Sequence, residues 1–160
     1  MESQSKESGG GMIAWKYIDK QNAAIAAMRD YDSMRAIINN TPDEIKEVYE
    51  RMTSPRSTKL SGMPSVRNPK AGEDKLAHQL DKLDVLRDRY SSAIEYMAWF
   101  EAAWGTLSDT DQQVLREFYM GDSQKSGATY RLMSDLNYSE RKIEYMRSNT
   151  LKKLTILLFG

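Results

Sequence analysis

Between Asn137 and Leu154 the chain reads NYSERKIEYMRSNTLKKL. Hydroxyls, two carboxylates, two phenols and five permanent cations recur there at helical spacing. Glu140, Arg141, Lys142, Glu144, Tyr145, Arg147 and Ser148 fall on one side of a helix. Ile143, Met146, Thr150, Leu151 and Leu154 fall on the other. The polar set carries the groups that read base-pair edges. Arg141 can bridge the two acceptors of guanine, and Glu140 or Glu144 can accept from the amino group of cytosine. Tyr145 and Arg147 can bond phosphate or pack on a thymine methyl. Lys142, Lys152 and Lys153 would add salt-dependent attraction to a polyanion. Ser139 can cap the helix, whose N-terminus can itself approach a phosphate. The same pattern also suits a plain packing helix, since Lys152 and Lys153 complement the C-terminal end of the dipole.

A helix that reads DNA must be held at a fixed angle, and the preceding residues have the pattern of a helix-turn-helix. Ala128 to Asp135 reads as a short helix with Leu132 as its buried residue. Leu136-Asn137-Tyr138 reads as a tight corner, where Asn137 tolerates a left-handed backbone. Leu132, Leu136, Tyr138, Ile143 and Met146 are the expected contacts between the two helices. Met133 stands where Ala or Gly usually permits a close crossing. The last helix is expected to run from Ser139 to about Leu157. Upstream, Gly105 marks a break, and Ser108 caps a helix with Asp109 and Asp111 in its first turn. Val114, Leu115, Phe118 and Tyr119 form its apolar face, and MGDSQKSG reads as a turn.

The rest of the chain predicts more helix. A first helix is expected from Ile13 to about Ile38, ended by Asn39-Asn40-Thr41. Thr41-Pro42-Asp43-Glu44 then predicts a new helix, with Thr41 as cap, Pro42 at the first helical position and Glu44 completing a capping box. That helix stops near Met52. Residues 53–72 hold three prolines and no periodicity, and they read as a loop. Between Arg51 and Gly72 there are five basic residues and no acidic ones, a pattern that reads first as a solvated loop, with contact to DNA phosphates as the alternative. A long helix from Glu73 to Trp104 carries a heptad stripe through Leu76, Gln79, Leu83, Leu86, Tyr90, Ala93, Met97, Phe100 and Trp104. Its expected use is an intramolecular helical hairpin, with a homodimer as the alternative. Trp99 and Trp104 are expected to anchor a core. The organisation expected is all-α: a disordered tail at 1–12, a helical or coiled-coil region at 13–104, and a helix-turn-helix at 105–160.

Composition narrows the function. Lys+Arg and Asp+Glu are both 23, so no global basic signature marks a nucleic-acid binder. From Ser123 onward, however, seven basic residues meet three acidic ones, a local net of +4. The absence of cysteine removes disulfides and thiolate zinc sites, and the single His78 excludes a histidine-rich metal site. No metal or cofactor is expected. Few constellations for hydrolysis remain, and Asp81 with Asp84 reads as a solvated face, so an enzyme is not expected. No apolar run approaches a membrane span of about 20 residues. The expected location is the cytoplasm of a bacterial host.

LSDTDQQVLREFY followed by YRLMSDLNYSERKIEYMRSNTLKKL resembles region 4 of bacterial sigma factors. The match rests on Leu107, Asp111, Val114 and Leu115 in the first block. In the second it rests on Ser139, Ile143, Met146, Thr150, Leu151, Lys153 and Leu154. Together with the basic linker and long helix, it is similar to small sigma-like regulators of the ArpU and RinA types, encoded by phages and prophages of Gram-positive bacteria. The resemblance implies a regulator that binds double-stranded DNA, without the sigma region that engages the −10 element. It implies Glu140, Arg141, Glu144 and Tyr145 as recognition positions and RNA polymerase as a partner. Two of those positions are acidic where sigma factors more often carry Arg, so a target unlike a −35 element is expected. The alternative is a protein-interaction or packaging module of the small-terminase kind that keeps the same fold.

Overall fold

The computed structural model describes residues 19–54, 69–121 and 127–160, and their regular elements are helices: α1 Lys20–Thr53, α2 Pro69–Trp104, α3 Asp109–Tyr119, α4 Ala128–Leu136 and α5 Glu140–Phe159. The all-α class is as expected. No helix among the described residues is long and apolar enough to cross a membrane. The tail at 1–12, the start of the first helix at Ile13, most of the 53–72 loop and most of the MGDSQKSG turn lie outside the described residues.

Asp19 opens α1. Its carboxylate accepts the backbone N–H groups of Gln21 and Asn22, each at 3.1 Å, which satisfies two donors the first turn would leave unpaired. The helix then runs past Asn39-Asn40-Thr41 without a break and contains Pro42. The expected end near Ile38 and new start at Thr41 are therefore corrected. Pro42 supplies no N–H to the preceding turn, a cost of roughly 3 kcal/mol inside a helix. Packing on both sides of it offsets that cost. Thr41 is fully buried, and Ile45, Val48 and Met52 continue an apolar face beyond it. A second correction concerns α2, which begins at Pro69 rather than Glu73. Proline fits a first helical position because its missing N–H would be unpaired there anyway.

The chain divides into two compact units, and α1 and α2 both pass through the division. The unit Ser33–Ala98 is built on Val48, Leu83 and Leu86, with Ile45 and Met52 packed against them. Arg89 Nη2 lies 3.0 Å from both carboxylate oxygens of Glu44, and Arg87 donates to Tyr49 Oη at 2.6 Å. These pairings join rising numbers on α1 to falling numbers on α2, so within this unit the helices run antiparallel. The heptad stripe is buried at Leu83, Leu86 and Ala93 but not at Leu76, which is 50% exposed.

The other unit joins residues 1–32 to 99–160. Its described part takes the start of α1, the end of α2, and α3 to α5. Ala24, Ala27 and Met28 of α1 are buried. The Tyr31 ring tilts on Phe100 at 5.5 Å, and Phe100 stacks on Trp104 at 5.6 Å. Lys20 Nζ donates to the Gly160 carbonyl at 2.8 Å, so the start of α1 meets the end of α5. Trp99 is the more exposed of the two expected anchors, paired edge-to-face with Phe159 at 5.6 Å. The centre of α3, α4 and α5 is Val114, Leu132 and Ile143, all fully buried, with Phe118, Met133, Leu136 and Met146 around them. Each such side chain contributes about 1.5–3 kcal/mol by leaving water.

Candidate nucleic-acid interface

The turn between α4 and α5 is set by two side chains. Asn137 takes φ 54° and ψ 40°, and among the described residues it alone, glycine aside, has positive φ. The left-handed region costs most L-residues roughly 1–2 kcal/mol, and Asn less. Ser139 is extended, and its Oγ accepts the Lys142 N–H at 3.3 Å, which caps α5. Leu132 and Leu136 of α4 then meet Ile143 and Met146 of α5 as expected. Tyr138 does not join them. It is exposed, with the Lys142 ammonium 6.0 Å from its ring centre. Met133, at the position of the usual small residue, packs against the core cluster instead of pointing away.

Ile143, Thr150, Leu151, Leu154, Thr155 and Leu158 bury the inner face of α5. The outer face then carries the candidate residues in two groups. Ser139, Glu140, Arg141, Lys142, Glu144, Tyr145 and Lys152 are exposed. Arg141 and Lys152 have no ion pair with an acidic side chain among the described residues. Lys142 lies 5.6 Å from the centre of the Tyr145 ring as well as near Tyr138, so its charge rests among two phenols. Tyr145 is 64% exposed.

Arg147 and Lys153 form the second group, already engaged within the fold. Arg147 Nε donates to Tyr119 Oη at 2.9 Å, and its guanidinium lies 4.4 Å from the Phe118 ring centre. Its Nη1 is 3.7 Å from Glu144 Oε2. Lys153 Nζ donates to Asp111 Oδ2 at 3.0 Å, while Thr150 Oγ1 donates to Asp111 Oδ1 at 3.1 Å. Burial pushes the Asp111 carboxyl up. The hydrogen bonds from Lys153, Thr150 and Ser108, with the charge of Lys153, outweigh burial and hold it below its ordinary value of 3.8. Of the five cations on α5, Arg141, Lys142 and Lys152 thus face solvent without a carboxylate partner among the described residues.

Sequence reasoning missed the groups that hold this face from behind. Phe118 and Tyr119 look like ordinary apolar positions of α3, and Thr129 carries no signal on α4. Thr129 Oγ1 nevertheless lies 3.5 Å from Glu144 Oε1. Tyr130 of α4 was also unmarked, and it stands 74% exposed in the same three-helix group. His78, Asp81 and Asp84 are solvent-exposed, and no cluster of potential metal ligands occurs among the described residues. Comparison with protein-family models, curated proteins and solved structures finds no match to this chain.

Proposed function

We propose that this chain is a sequence-specific, double-stranded-DNA-binding transcription regulator of the phage or prophage sigma-region-4-like type, with α4 and α5 acting as a helix-turn-helix. One observation carries the reading. The left-handed Asn137 and the Ser139 cap present a helix whose outer face exposes Arg141, Lys142, Tyr145 and Lys152. An α-helix fits the major groove, where Arg141 can take the two acceptors of guanine and Tyr145 can pack on a thymine methyl. Lys142 and Lys152 supply phosphate attraction that fixes register and carries no sequence information. Action in the bacterial cytoplasm, contact with RNA polymerase and pairing of two copies through α2 belong to the same proposal.

The test is selection of bound duplexes from a pool of random and native genomic fragments by the full chain. The reading expects enrichment of a short motif, with Arg141→Ala weakening that motif by about 1–3 kcal/mol. Failure to enrich any duplex would defeat it.

A second reading, docking on a protein, is favoured by a groove of about 520 Å³ lined by Thr106, Leu107, Ser108, Asp111, Lys153, Ile156 and Leu157. Ile156 is 65% exposed there. Ring-sized assemblies in light scattering, without DNA enrichment, would favour that reading.

A further inference from the structure

Glu140 and Glu144 are both exposed acids on the outer face of α5, and they are not equivalent. No hydrogen bond or ion pair joins Glu140 to another side chain among the described residues. Glu144 is held from two sides. Thr129 Oγ1 of α4 is 3.5 Å from its Oε1, and Arg147 Nη1 is 3.7 Å from its Oε2. Arg147 is in turn fixed by Tyr119 Oη at 2.9 Å and by the Phe118 ring. A chain of contacts therefore runs from α3 through Arg147 to Glu144 and on to α4.

From this geometry we propose that Glu144 is a specificity-determining residue, which accepts a hydrogen bond from the exocyclic amino group of a cytosine in the major groove. The proposal rests on the DNA-binding reading. A carboxylate near phosphates is repelled unless it finds a donor. Cytosine offers an amino donor on its groove edge. Guanine offers two acceptors there, and adenine sets an acceptor beside its donor. Each carboxylate oxygen has two lone-pair sites, so Thr129 and Arg147 leave acceptor capacity free on both. A side chain already held in place loses less conformational freedom on binding than a free one. Arg147 also offsets the negative charge that would oppose approach to the duplex. Glu144 is thus the acid equipped for readout, whereas Glu140 has no such support among the described residues.

The experiment is duplex selection from a random pool by the full chain and by four variants, with folding checked by circular dichroism. The wild-type motif should contain a cytosine whose preference over other bases falls about tenfold in Glu144→Ala. Glu144→Gln should move that position toward adenine, because a Gln amide matches the adenine edge. Thr129→Val should weaken the cytosine preference in part and leave the salt dependence of binding unchanged. Glu140→Ala should keep the preference. Enrichment of a wild-type motif that Glu144→Ala leaves intact at every position would overturn this inference and spare the DNA-binding reading. If the wild-type chain enriches no duplex, both fall together.

Discussion

Arg147 and Arg141 sit six residues apart on one helix and have different work. The Arg147 guanidinium lies against Phe118 and bonds Tyr119 Oη, whereas Arg141 stands in solvent. A lysine at 147 keeps the charge but loses the planar stacking surface and the fixed donor. Arg147→Lys should therefore cost about 1 kcal/mol in urea unfolding, and Arg141→Ala should stay within about 0.5 kcal/mol of wild type. Equal losses from both would show that Arg147 is not part of the packing. The two arginines look alike in sequence because Phe118 and Tyr119 lie almost thirty residues upstream. Asn137 and Ser139 were legible for the opposite reason. Their chemistry is local, and a left-handed corner followed by a cap needs no distant partner.

At the scale of elements, Pro42 shows the limit of local signals. Thr41-Pro42-Asp43-Glu44 has every mark of a helix start, yet α1 continues through it. A proline at a first position and one inside a helix leave the same trace in sequence. Here burial of Thr41, Val48 and their neighbours decides the outcome. Because the proline removes a helical hydrogen bond, Pro42→Ala should raise the stability of the full chain, by up to about 3 kcal/mol in urea unfolding. A loss of stability would mean that the ring itself is needed for packing. The heptad stripe of α2 is covered at Leu83 and Leu86 by apolar partners from α1. At Leu76, which is half exposed, the same periodicity marks a face and does not say what lies against it.

For the whole molecule, α3, α4, α5 and their shared core were legible in the C-terminal pattern, because each helix carries its own apolar face and α3 and α5 carry their own serine caps. It did not show that the start of α1 joins the same unit as these helices. That grouping depends on contacts such as Lys20 with Gly160 and Tyr31 with Glu101, which no spacing rule encodes. One tie inside this unit should be visible in acid. Asp111 is held below its ordinary value by Lys153, Thr150 and Ser108, so its ionised form stabilises the fold above about pH 4. That contribution is lost as pH falls through the lowered folded value, where the carboxylate takes up a proton. Asp111→Asn should reduce stability at neutral pH and flatten its acid dependence below pH 4, as followed by unfolding at a series of pH values. An unchanged acid profile would place the acid sensitivity elsewhere.

The central claim is that the exposed cations of α5 lie on DNA, and the dependence of duplex affinity on salt tests it most directly. Each phosphate neutralised contributes about −0.9 to the slope of log K against log salt. Removing Lys142 and Lys152 together should make that slope shallower by about 2, with Arg147→Lys leaving it unchanged. Binding that ignores salt, or a slope the double substitution does not alter, would contradict the account.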